Sequence, residues 1–113
     1  MLKVKDKGII IQIIKRCKRI SDKLSNVSKE IFDNNDDIKE VICFNIFQIG
    51  ELANGLSTEF INLYNDVPWK QIISMRNRIV HGYDTVDFEI VWNTAKDNIS
   101  QLLKYCERII ENN

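Results

Sequence analysis

Apolar residues recur at three- and four-residue spacing along most of the chain, and the stripes they draw predict helices. Ile10, Ile13, Ile14, Cys17, Ile20 and Leu24 fall on one face of a first helix, roughly Lys5 to Leu24. Lys15, Arg16, Lys18 and Arg19 cluster between them; such a cluster can contact phosphate, but a solvated helix face is its commoner use. A second helix is expected from about Asp37 to Leu56, with Ile38, Val41, Ile42, Ile49, Leu52, Ala53 and Leu56 on its stripe and Phe44 and Phe47 on a second apolar edge. Asp36, Asp37 and Glu40 suit the positive end of that helix. A third helix starts at Pro68, whose missing N–H is no loss in a first turn. It carries Trp69, Ile72, Ile73, Met75, Ile79 and Val80, and is expected to end near Gly82. Asp87 is a good N-cap for the last helix, with Val86 and Val91 placed as a hydrophobic staple. Its stripe runs through Val91, Trp92, Ala95, Ile99, Leu102, Leu103, Cys106, Ile109 and Ile110.

Between these lie less regular stretches. Val27, Ile31 and Phe32 suit a short helical turn, and Ser57 to Tyr64 suits another. No stretch alternates with a period of two. The expected fold is all-α: an up-and-down helical bundle of four main helices with short extra helical turns, in one domain over residues 1–113.

Gly50 and Glu51 interrupt the second stripe. A glycine there costs about 1 kcal/mol of helix propensity relative to alanine, so its use points to close approach of another backbone. Glu51 has two readings, an exposed carboxylate at the stripe's edge or a carboxylate paired with an arginine.

Composition narrows the chemistry. The 113 residues carry 16 Lys plus Arg and 16 Asp plus Glu, for a net charge of zero. That argues against holding nucleic acid by bulk electrostatics, though not against a local basic site. No apolar run is long enough to span a membrane and no leader pattern opens the chain. Cys17, Cys43 and Cys106 are scattered among apolar residues, which suits reduced thiols in a cytoplasmic core. With one histidine and no paired cysteines, neither a metal site nor a cofactor is expected.

The single histidine lies in Arg76-Asn77-Arg78-Ile79-Val80-His81-Gly82-Tyr83. Arg76 and His81 are five apart, so on a regular helix they point about 140° from each other. Asn77 and His81 share a face. Arg76 and His81 meet only if the helix is distorted, if it ends, or if a second chain supplies one of them. Cleavage of RNA through its 2′-hydroxyl needs one group to accept a proton and another to donate one. A two-fold dimer would bring two histidines and two copies of Arg76 and Arg78 to one cleft. Arginine suits a phosphate that gains charge in the transition state. The same residues are also explained without chemistry, as a histidine capping a helix C-terminus and arginines on its last carbonyls.

Arg76, four residues, His81, a glycine and Tyr83 resemble the signature of the HEPN superfamily, and the tyrosine two after the histidine is similar to its HepT branch of ribonuclease toxins. The context agrees: Val67-Pro68-Trp69 and Ile49-Gly50-Glu51 upstream, Met75-Arg76-Asn77 leading in, His81-Gly82-Tyr83-Asp84 leading out, and Val91-Trp92 after it. The resemblance implies a HEPN-like helical fold and the toxin component of a type VII-like toxin–antitoxin system. The activity implied is a metal-independent endoribonuclease with RNA as substrate, working as a homodimer. Arg76 and His81 match the catalytic pair, and Asn77 matches a polar position beside it, with Arg78 and Glu51 as further supporting residues. The implied partner is an MntA-like nucleotidyltransferase antitoxin that transfers AMP to Tyr83, placing phosphate charge where the RNA phosphate binds. The alternative is a non-catalytic helical accessory or substrate-binding subunit of a nucleotidyltransferase.

Overall fold

The computed structural model describes residues 2–79 and 85–113. Every regular element among them is helical. The α-helices are α1 (Val4–Leu24), α2 (Lys29–Asp33), α3 (Asp36–Ala53), α4 (Thr58–Leu63), α5 (Trp69–Ser74), α6 (Phe88–Asn93) and α7 (Ile99–Glu111). A 3₁₀ turn (Met75–Arg78) continues α5, and a π segment (Thr94–Asn98) joins α6 to α7.

The sequence places most of the starts. Ser28, Asn35, Ser57 and Asp87 each accept a backbone N–H with the side chain at the first turn of α2, α3, α4 and α6. Asp87 takes Glu89 N–H at 3.0 Å and Ile90 N–H at 3.4 Å. Val91 is buried in the core and Val86 packs partly buried against it. α1 ends in a turn through Asn26, at φ 61°, a left-handed conformation that asparagine tolerates.

α1 lies between α3 and α7 and packs on both. It runs antiparallel to α3, since Ile9 lies beside Gly55 and Arg16 beside Asn45. Ile10, Ile13, Cys17 and Ile20 of α1, Ile42, Ile46 and Ile49 of α3, and Ile99, Leu102 and Cys106 of α7 are almost wholly buried together. Phe32 of α2 is fully buried and sits against Phe88 and Trp92, closing one end of the bundle. At α4, buried Asp6 of α1 accepts Ser57 N–H at 2.9 Å and Ser57 Oγ–H at 2.6 Å. Trp69 Nε1 donates to the Tyr64 carbonyl at 3.0 Å and anchors the start of α5.

Three expectations change. The second helix ends at Ala53 rather than Leu56, where Gly55 and Leu56 form a turn. Phe44, expected on an apolar edge, is 54% exposed beneath the guanidinium of Arg16, while Phe47 is half-buried. The third helix is not one regular α-helix: α5 stops at Ser74, a 3₁₀ turn takes over to Arg78, and Ile79 leaves helical geometry at φ −121°, while the expected end near Gly82 lies outside the described residues. The tight packing of this segment on Gly50 is the local reason, since a tertiary contact outweighs a propensity gradient of tenths of a kcal/mol.

Candidate active site

The stretch that draws attention begins where α5 tightens. A 3₁₀ helix has about three residues per turn instead of 3.6, so successive side chains rotate further than in an α-helix. Arg76 therefore leaves the face that an unbroken α5 would have given it. It is carried over α3.

Gly50 makes that crossing possible. A Cβ at position 50 would lie 2.9 Å from Arg76 Cβ, 3.2 Å from Arg76 N and 3.3 Å from the Ile73 carbonyl oxygen. The close approach expected of this glycine is thus an approach of the Arg76 backbone. One residue on, Glu51 accepts a hydrogen bond from Arg76 Nη1 at 2.8 Å, across 25 positions of sequence. The Arg76 side chain is 28% exposed and the Glu51 side chain 48%. Of the two readings of Glu51, the paired carboxylate is the one present. Such a half-exposed pair contributes about 0–1 kcal/mol to stability. Its larger effect is to fix where a planar group with five N–H donors points, while using one of them.

Asn77 is exposed beside Arg76, and Arg78 closes the 3₁₀ turn. His81 and Tyr83 lie outside the described residues, as do Val80, Gly82 and Asp84. The structure thus brings Arg76 and Glu51 together, with Asn77 next to Arg76 on the same 3₁₀ turn.

A cleft of about 260 Å³ that no sequence pattern predicts opens on the α7 side of α5. Gln71, Ser74 and Met75 line one wall, with Asn98, Gln101 and Tyr105 opposite. Among the described residues, none of those expected at the site lines it. Asn98 reaches it from the end of the π segment, a wide-turn irregularity that no sequence period announces.

The three thiols are buried, and burial raises each of them. Cys43 is pushed up to about 11 and Cys106 to about 12, the latter helped by the Glu107 charge; Cys17 is raised further still, by burial and then by Cys106 and Glu107. They are neutral core side chains near neutral pH and not nucleophiles.

A family model for HepT-like ribonucleases matches residues 10–109. A Caldanaerobacter subterraneus subsp. tengcongensis protein named as a candidate RNase is 28% identical over 99 residues, spanning 88% of both chains. One of several Methanocaldococcus jannaschii proteins named in the same way is 30% identical over 105 residues, covering 93% of this chain and 87% of its own. A Thermococcus cleftensis protein named as a candidate ribonuclease HepT is 31% identical over 61 residues, 54% of this chain and 56% of its own. No solved structure matches. The matched region holds the buried stripes of α1, α3 and α7 as well as the Gly50–Glu51–Arg76 contact, and the chain belongs to the HepT-like ribonuclease family.

Proposed function

We propose that this chain is an endoribonuclease toxin that cleaves RNA with Arg76 and His81, and that it works as a homodimer. The observation that carries the reading is Arg76, an arginine fixed by Glu51 at the tightened end of α5, five positions before the only histidine. Family membership and relatives named as RNases support the substrate class.

In this mechanism a 2′-hydroxyl attacks the adjacent phosphorus and the 5′-oxygen leaves. One His81 accepts the hydroxyl proton and a second His81, from the partner subunit, protonates the leaving oxygen. Arg76 donates hydrogen bonds to the phosphate as charge builds on it. Asn77 and Arg78 hold the strand nearby, and Glu51 keeps the Arg76 guanidinium in place. No step calls for a metal. Residues 1–113 act as one domain in the cytoplasm, and an MntA-like nucleotidyltransferase silences the site by transferring AMP to Tyr83.

The test is cleavage of a labelled single-stranded RNA by purified chain in EDTA. Arg76→Ala and His81→Ala are each expected to lose at least about 100-fold in rate, with the dimer intact by sedimentation. Full activity of a folded His81→Ala variant refutes the assignment. No cleavage by wild type, together with nucleotide-dependent binding to a nucleotidyltransferase, selects the accessory-subunit reading instead. For the regulatory part, co-expression with the nucleotidyltransferase should add AMP at Tyr83 by mass spectrometry, and a Tyr83→Phe chain should escape inhibition.

A further inference from the structure

The zero net charge hides a strong asymmetry. Eight of the sixteen Lys and Arg residues lie in the first 24 positions, against two of the sixteen acids, so residues 1–24 carry +6 and residues 25–113 carry −6. Of those two acids, Asp6 is buried against Ser57 and only Asp22 is exposed. α1 is therefore a basic helix on an otherwise acidic protein.

Lys18 meets Glu107 at 3.9 Å, but most of the other cations are not consumed by the acids around them. Among the described residues, Lys15, Arg16, Arg19 and Lys23 have no carboxylate within salt-bridge distance. Arg16, Arg19 and Lys23 recur at three, four and seven positions, so they share one face of α1. Arg16 is held where it is. Its Nη1 donates to Asn45 Oδ1 at 3.2 Å, and Asn45, 1% exposed, is itself locked by donating from Nδ2 to the Val41 carbonyl at 2.8 Å. The same guanidinium lies 5.5 Å from the ring centroid of Phe44, which is 54% exposed. A fixed arginine beside a half-open aromatic ring, followed by unpaired cations, is the arrangement that binds single strands: rings take bases and cations take phosphates.

The patch also points at the candidate site. Phe44 and Glu51 are seven apart on α3, two turns on the same side, and about 10 Å apart along the axis. Glu51 holds Arg76. In the other direction, Arg16 to Lys23 adds about 10 Å along antiparallel α1. We propose that this edge, from Lys23 and Arg19 through Arg16 and Phe44 to Glu51–Arg76, is a docking track for single-stranded RNA. The RNA partner rests on the ribonuclease reading; the position of the track rests on the charges and contacts above.

The test is fluorescence anisotropy with a labelled 12-nucleotide single-stranded RNA, made uncleavable by 2′-O-methyl groups, titrated with full-length chain over a range of salt. The triple variant Arg16→Gln, Arg19→Gln, Lys23→Gln should bind at least tenfold more weakly and flatten the slope of log affinity against log salt by about 2, at about 0.7 per lost phosphate contact. Phe44→Leu should weaken binding roughly tenfold and leave the slope unchanged. Lys96→Gln, Lys104→Gln, Arg108→Gln removes as much charge from exposed positions of the 88–111 rod, and should shift affinity less than threefold. Circular dichroism melts of all variants check that each is folded. A wild type that does not bind, a triple variant no weaker than the control, a Phe44→Leu variant that binds like wild type, or a duplex of the same sequence bound as tightly as the single strand each overturns the track. Loss of RNA binding with these variants while wild type fails to cleave RNA breaks the catalytic reading and keeps the track. Unchanged KM in the triple variant, while Arg76→Ala is inactive, does the reverse.

Discussion

Replacing Gly50 by alanine tests the contact that places Arg76. Two effects oppose each other. Alanine in the last turn of α3 gains up to about 1 kcal/mol of helix propensity. Its Cβ, however, meets Arg76 Cβ at 2.9 Å and Arg76 N at 3.2 Å. Neither is the free end of a flexible side chain, so α3 and the 3₁₀ turn must part by several tenths of an ångström, and overpacking of this kind costs about 1–3 kcal/mol. Gly8 of α1 supplies the reference, since a Cβ there has nothing within 4 Å. Gly8→Ala should show the propensity gain alone. Propensity cancels between the two variants, which leaves Gly50→Ala about 1–3 kcal/mol less stable than Gly8→Ala. At about 4 °C per kcal/mol for a chain of this size, Tm should differ by about 4–12 °C. Displacing Arg76 by a fraction of an ångström should also cost roughly tenfold in RNA cleavage, because rates fall steeply with misplacement of a catalytic group. Both variants go through thermal melts and initial-rate cleavage assays. A Gly50→Ala chain that melts as high as Gly8→Ala and cleaves as fast refutes the idea that this glycine is kept for the Arg76 crossing.

Other expectations concern the core. Asp6→Ala removes a buried carboxylate and leaves the part-buried Ser57 N–H and Oγ–H without their acceptor, and should cost about 1–3 kcal/mol in urea denaturation. A loss below about 0.5 kcal/mol would mean water takes the carboxylate's place. The raised thiols make the fold sensitive to alkali: folded Cys106 holds its proton to about 12 whereas the unfolded thiol releases it near 9.0, so stability is full below pH 9 and falls as pH rises towards 12. Between pH 8 and pH 10, wild type should therefore lose about 1 kcal/mol more than Cys106→Ala, and equal losses would show that this thiol is not protected.

How much of this the sequence discloses depends on the range of the interaction. Ile10, Ile13, Cys17 and Ile20 announce α1 because burial on one face of a helix has a period that a local window can see. Asp87 announces the start of α6 because a cap acts within three residues. The 3₁₀ turn at Met75–Arg78 is not announced, because its packing partner is Gly50, more than twenty positions away. The pairing of Glu51 with Arg76 is invisible for the same reason, and both readings of Glu51 fit its sequence neighbourhood equally. Phe44 misleads: an aromatic residue beside an apolar stripe suggests burial, but its cover is the Arg16 guanidinium, which leaves half the ring in water. Gly50 shows the limit of a local reading. Its helix-propensity cost appears in the sequence of α3, whereas the offsetting gain, an arginine set against Glu51, appears only once α5 is laid across it. A local rule broken without a local gain therefore marks a place to search for a tertiary contact, and here that search ends at the residue the proposed chemistry needs most.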